Sequence, residues 1–241
     1  MIELKDVTIK RPSFTFGPVS QRFDDGRIYM VMGENGAGKT TLLDILSGMI
    51  IPDKGVVYKD VRISYAPQES DNAFFLPTVL DEFSYTLREK RKDEVGKRVE
   101  HLLSLIGLSS AYIQRSPFSL SGGEKRLLSI ALALAVDPDF LLLDESISGL
   151  DYKGYKALRA LLRALKAEGR GVVFITHELD ILDLVDILIV IKGGKIIFCG
   201  TPLDAMEKGY VEKSFSYMKS MELIGTPILS LKEIARRVSN E

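Results

Sequence analysis

The sequence predicts an α/β fold built on a mostly parallel sheet, with a helical segment inserted into it. Three observations carry that expectation. Short apolar runs recur at Arg27 to Met32, Phe140 to Leu143 and Gly171 to Thr176, each ending in glycine or polar residues. Strands buried on both faces read this way. Helical spacing alternates with the runs, as in a parallel sheet with crossover helices. The first run also opens into a glycine-rich loop that leads directly into a helix, and ligands in such sheets sit at the carboxyl ends of the strands.

Taken in order, Met1 to Phe23 alternates apolar and polar residues between turn signals and reads as a β-rich opening. Thr40 to Met49 has helical spacing and closes at Gly48 and Ile51-Pro52. From Pro77 the character changes. Thr78-Val-Leu-Asp81 reads as a capping-box-like helix start. Asp93 is a candidate cap for a second helix with Val95, Val99, Leu102, Leu103 and Ile106 on one face, ended by Gly107. An inserted helical subdomain is expected over about 77–135. Ile187 to Ile191 and Ile196 to Cys199 flank Lys192-Gly193-Gly194-Lys195, a two-residue hairpin signal. Accessory helices are expected over about 202–241, with a break at Gly225-Thr-Pro227 and an apolar face of Leu231, Ile234, Ala235 and Val238 that suits intramolecular packing or a subunit contact. The whole, 1–241, reads as one domain.

With 241 residues, 46% of them hydrophobic and 27% charged, the chain can bury a full core. A net charge of −1 does not mark a generic polyanion binder, and no nucleic acid partner is expected. Cys199 stands alone, so no internal disulfide can form and a reducing compartment fits; the thiol is expected to be buried on a strand. The start, Met1-Ile-Glu-Leu-Lys, lacks the apolar stretch of a signal peptide. The longest apolar stretch, near Leu127 to Val136, is far short of a bilayer span, so any membrane role must come through a partner.

Gly33-Glu-Asn-Gly-Ala-Gly38-Lys39-Thr40 fits GxxxxGK[ST]. Phosphate needs many donors in a small space, and such a loop turns its backbone N–H groups inward while the following helix adds the positive end of its dipole. Asn35, Gly36, Ala37, Gly38, Lys39, Thr40 and Thr41 are therefore candidate nucleotide-binding residues. Lys39 would reach the β- and γ-phosphates and the Thr40 hydroxyl would ligate Mg²⁺. Asp144-Glu145 ends another apolar run. Asp144 is placed to hold Mg²⁺ through water, and Glu145 to activate the attacking water as a general base. His177 also follows a strand, where it can meet the γ-phosphate.

Leu120-Ser121-Gly122-Gly123-Glu124 resembles the signature of the ABC ATPases, with Glu in the last place; by itself it reads rather as a Gly-Gly helix start capped by Ser121. Gln68 after Tyr65-Ala-Pro67 resembles that family's Q-loop, Ser148-Gly-Leu-Asp151 its D-loop and His177 its H-loop, all in the family's order over nearly the whole chain. The resemblance implies an ABC-type P-loop NTPase core with an N-terminal antiparallel β subdomain. It implies ATP and Mg²⁺ as cofactors, with Gln68 as a further catalytic and metal-contacting residue. It also implies a second ATPase subunit, identical or a paralogue, facing head to tail, so that Ser121 and Gly123 serve the partner's nucleotide. Closure on ATP and opening on hydrolysis would then drive a membrane partner.

Gln68 to Val79, Arg115 to Leu120, Lys125-Arg126 and Leu223 to Pro227 are similar to the energy-coupling-factor branch of importers for vitamins and metal ions. That likeness implies a transmembrane coupling protein, a membrane substrate-binding protein, and a peripheral place on the cytoplasmic face of the membrane. Two departures from the family stand out. Ser146-Ile147 follow Glu145 where the family has Pro-Thr, and the position of the adenine-stacking aromatic falls near Arg11, with Phe14 and Phe16 as substitutes. Tyr65 reads as core. Other readings on the same fold are a soluble ABC protein acting on ribosomes or DNA, and an ATP-dependent switch outside transport.

Overall fold

The computed structural model describes residues 1–88 and 92–212. Two strands open the chain, β1 (Ile2–Arg11) and β2 (Phe14–Phe23), followed by β3 (Ile28–Gly33) and helix α1 (Lys39–Ser47). Strands β4 (Lys54–Lys59) and β5 (Ile63–Ala66) precede helices α2 (Val79–Thr86), α3 (Lys92–Leu105) and α4 (Gly122–Leu134). The chain continues through β6 (Phe140–Asp144), α5 (Tyr152–Ala167), β7 (Gly171–Ile175), β8 (Ile187–Lys192), β9 (Lys195–Gly200) and α6 (Pro202–Glu207).

The strands form two sheets. An antiparallel sheet has the order β2-β1-β4, and a six-stranded sheet runs β5-β6-β7-β3-β8-β9, parallel as far as β8 with β9 antiparallel at its edge. The expected α/β architecture is thus present, with its antiparallel opening and its helices inserted between β5 and β6. Alternate residues of the parallel strands face two apolar layers. Met30, Leu141, Leu143, Val172 and Phe174 pack with α4 and α5, whereas Tyr29, Val31, Leu142, Val173 and Ile175 pack with α1 and the antiparallel sheet. Burial on both faces explains the uninterrupted apolar runs.

The inserted helices lie where their sequence signals place them, with differences at their starts. Thr78 caps α2 by accepting from the Asp81 N–H at 3.1 Å, but the Asp81 carboxylate takes the Thr78 hydroxyl at 2.6 Å, so the reciprocal half of a capping box is missing. Helix α3 starts at Lys92, which puts Asp93 inside its first turn rather than before it. Val95, Val99, Leu102, Leu103 and Ile106 are all buried, as their spacing predicts. Gly107 ends the helix with φ 75°, its N–H on Ser104 O and that of Leu108 on Leu103 O. These apolar residues belong to the same cluster as Leu143 and Phe174, so the insertion shares a core with the sheet. Cys199 departs from expectation: it faces outward from edge strand β9 and is exposed. The expected helices beyond residue 212 lie outside the described residues.

The Gly193-Gly194 turn joins β8 to β9 with φ of 53° and 76°, both in the left-handed region. Gly194 also braces the glycine-rich loop. Its N–H donates to Ala37 O at 2.9 Å, its carbonyl accepts from Gly17 N at 2.7 Å, and a Cβ there would lie 1.9 Å from Thr15 O. Gly193 has open space instead. Gly193→Ala is expected to cost roughly 1 kcal/mol for the left-handed backbone alone. Gly194→Ala should cost about 3 kcal/mol or more, because backbone must also move. Urea unfolding checks this, and equal losses would contradict the bracing role.

Candidate functional site

The phosphate-loop sequence sits between the carboxyl end of β3 and the start of α1. Gly38, with φ 109°, is the N-cap, and a Cβ there would lie 2.8 Å from the ring of Phe16 and 2.9 Å from that of Phe14. A side chain would therefore push the loop off its aromatic support. Lys39 is buried, and its Nζ donates to Gly33 O at 2.8 Å and Glu34 O at 3.0 Å. A cation is thereby held against the loop, beside the start of α1, an arrangement that favours an anion there.

Four strand ends converge here. In sheet order, β5 leads to Gln68, β6 to Glu145, β7 to His177 and β3 to the loop. Asn35, Gly36, Gly38, Lys39, Thr40 and Thr41 line one cleft of about 650 Å³ together with Gln68, Glu145 and His177. Glu145 has φ 47°, unusual for a residue with a side chain, and its N–H is tied to Ile175 O at 3.1 Å. Backbone held in this way costs of order 1–2 kcal/mol and persists at sites where geometry is over-determined. The turn directs the carboxylate to Gln68, whose Nε2 donates to Glu145 Oε2 at 2.8 Å. Ser146 and Ile147, the departures from the family pattern, are both buried beneath this turn.

Asp144 lies behind the cleft and is buried. Burial pushes its carboxyl pKa up, opposed by the Thr40 and Tyr65 hydroxyls and the Lys39 charge. The Tyr65 hydroxyl donates to Asp144 Oδ2 at 3.2 Å, while Oδ1 is buried with no hydrogen-bond partner. A buried carboxylate oxygen without a donor is what a divalent cation would satisfy. Among the described residues no group of three His, Cys, Asp or Glu side chains could hold a metal unaided. A cation here would therefore need the Thr40 hydroxyl, water and phosphate oxygens beside Asp144, a donor set that suits Mg²⁺.

Other expected residues fall differently. Ala37 does not line the cleft: its side chain is buried, and its N–H donates to Glu34 O at 3.1 Å. Of the three adenine candidates, Phe14 lines the cleft, Phe16 is fully buried, and Arg11 is exposed without lining it. Tyr65 was expected in the core, and its tie to Asp144 had no sequence signal, because 79 residues separate the two.

Ser121 and Gly123 line a second cleft, of about 480 Å³, that shares no residue with the first. Ser121 caps α4 in a complete capping box. Its Oγ accepts from Glu124 N at 3.4 Å, and Glu124 Oε2 accepts from Ser121 N at 2.8 Å and Ser121 Oγ at 2.9 Å. The Tyr112 hydroxyl donates to the other Glu124 oxygen at 2.5 Å. These bonds hold the Glu124 carboxyl below its usual range, led by that of Tyr112. The next two residues reach other loops: Lys125 Nζ meets Asp71 at 2.7 Å, and Arg126 donates to Ser148 O. Asp151 caps α5 by accepting from Gly154 N at 2.7 Å.

A family profile described as ABC transporter matches residues 16–148, over half of the chain. A putative ABC transporter ATP-binding protein of Pyrococcus furiosus is 35% identical over 91% of this chain and 92% of its own length. The energy-coupling factor transporter ATP-binding protein EcfA1 of Thermotoga maritima is 35% identical over 85% of each. Among solved structures, a dimeric ATP-binding cassette bound to ADP and Pi superposes with a TM-score of 0.76 at 26% identity, over 83% of this chain and 98% of that one. The cbiO1 protein of Clostridium perfringens, part of the ABC transporter complex cbiONQ, gives 0.76 at 25% identity over 99% and 98%. A phosphate loop, an acidic strand end and a Ser-Gly-Gly helix start in one order, together with these matches, place the chain in the ABC transporter family, as one of its ATP-binding-cassette ATPases.

Proposed function

We propose that the chain powers an importer of the energy-coupling-factor type, for a vitamin or metal ion, by closing on ATP against a second cassette. The observation that carries the pairing is the separation of the two clefts. Ser121 and Gly123 share no cleft with the phosphate loop of their own chain, so a nucleotide on that loop can meet a signature only from another chain. The dimeric form of the similar cassette supports the same arrangement. The importer reading rests on the names of the energy-coupling-factor relatives and of the cbiONQ component.

In this reading the phosphates lie on amides of the loop and of the first turn of α1, that of Ala37 excepted because Glu34 O takes it, with Lys39 on the β- and γ-phosphates and Phe14 against the base. Thr40 and Asp144 would hold Mg²⁺, which would supply positive charge to the phosphate oxygens. Glu145 accepts the proton of the attacking water. Gln68, bonded to that carboxylate, orients it and reaches the metal side of the site. His177 contacts the γ-phosphate from the end of β7. Hydrolysis releases the second cassette.

The membrane partner docks beside Gln68. There Phe75 and Tyr85 are exposed and meet edge to face at 5.1 Å, and buried Glu82 clamps the segment by accepting from Phe75 N and Leu76 N at 2.5 and 2.6 Å. No helix among the described residues is long and apolar enough to cross a membrane, so this face is where force would pass to a spanning partner.

Glu145→Gln is expected to keep Mg·ATP binding, to lower turnover about 10²- to 10⁴-fold, and to accumulate the closed pair in size-exclusion chromatography. Unchanged turnover would remove Glu145 from the chemistry. Lys39→Ala should abolish the ATP-dependent rise in melting temperature, since a ligand that no longer binds cannot stabilise the fold. For the pairing, ATPase activity of the purified wild type should rise more steeply than linearly with its concentration. Strict proportionality would mean that one chain completes its own site.

A further inference from the structure

We propose that Tyr65 is a positioning residue for the metal carboxylate: it fixes Asp144 so that one chosen oxygen, Oδ1, faces the cation. This rests on reading Asp144 as the metal-side ligand, and the test separates the two claims. Tyr65 lies on β5, paired in parallel register with Leu142 two residues before Asp144. Its hydroxyl donates to Asp144 Oδ2 at 3.2 Å, while Oδ1 is buried with no hydrogen-bond partner, and the Thr40 hydroxyl, the other group that acts on this carboxylate, belongs itself to the metal side. The two oxygens are thereby made unequal. One is tethered, and the other is left to be satisfied by something else.

The choice of a phenol has a physical consequence. A carboxylate anchored at one oxygen turns about its Cβ–Cγ bond only by breaking that tether, which disfavours offering both oxygens to one cation. Mg²⁺ requires near-octahedral geometry and keeps several of its waters, so it is served by a single fixed oxygen rather than a chelating pair. A lysine or arginine at position 65 would also anchor the carboxylate, but it would cancel the negative charge that attracts the metal. Tyrosine orients the group and leaves its charge intact. Outer hydrogen bonds of this kind set metal affinity by orienting the ligand, and their loss typically costs 10- to 100-fold. Because Tyr65 stands three residues before Gln68, the same bond also ties the start of the Gln68 loop to the metal side of the site.

Tyr65→Phe removes one oxygen and keeps the ring that packs with the core layer around α1. The measurement is Mn²⁺ affinity by electron paramagnetic resonance on the full chain with saturating ADP, beside ADP affinity in EDTA. The expected result is Mn²⁺ bound about tenfold more weakly with metal-free ADP affinity unchanged. Unchanged Mn²⁺ affinity would overturn the proposal, including where the variant is merely less stable. Asp144→Asn is measured in parallel. A loss there with none in Tyr65→Phe sinks the role of Tyr65 alone, whereas no loss in Asp144→Asn sinks the reading of Asp144 and the proposal with it.

Discussion

The structure depends on burying β3 on both faces at the middle of the parallel sheet. Between β7 and β8, with α1 and the antiparallel sheet on one side and the α4–α5 layer on the other, this strand has no room to shift. Its carboxyl end therefore delivers the phosphate loop to a fixed point, and the register of β7, β6 and β5 brings His177, Glu145 and Gln68 to that point from three distant parts of the chain. The Gly193-Gly194 turn completes the support by holding Ala37 from outside the loop. A rigid core thus positions groups whose own loops are short and polar.

Around that fixed point the contacts between loops are polar. Gln68 is joined to Glu145 by one hydrogen bond, α4 reaches Asp71 through Lys125, and Arg126 reaches the loop at Ser148. The signature end of α4 is therefore connected to the Asp71 and Ser148 loops by exposed or half-exposed polar groups, beside the core packing of Leu120 and Leu127 with Phe74 and Ile147. Interactions of this kind are individually weak, commonly about 0–1 kcal/mol when exposed, so they can be exchanged without unfolding. The cluster shared by the helical insertion and the sheet holds the insertion to the core.

What the sequence disclosed follows from where burial is complete. Strands β3, β6 and β7 were legible because each is apolar throughout and ends in a chemically marked residue. Strand β4 was not, since most of its residues are exposed, and β5 spans only four residues. The order of strands cannot be read from any local pattern, because it is set by which faces bury each other. The loop, acidic and signature residues were legible as motifs, since their chemistry needs fixed spacing. The partner of Tyr65 was hidden because half-burial of an aromatic looks like core, and its hydroxyl meets a residue far along the chain. Phe14 could not be separated from Arg11 and Phe16 until the fold showed which of the three borders the cleft.

We propose that separate strand ends form one nucleotide site. It is tested most directly by hydrogen exchange of the Glu145→Gln variant with and without Mg·ATP. Slowed exchange is predicted in peptides covering residues 33–42, 66–70 and 175–178 together, and its loss from all three when Lys39→Ala is added. Protection confined to the loop peptide, or found in regions away from these strand ends, would mean that these strand ends do not share one site.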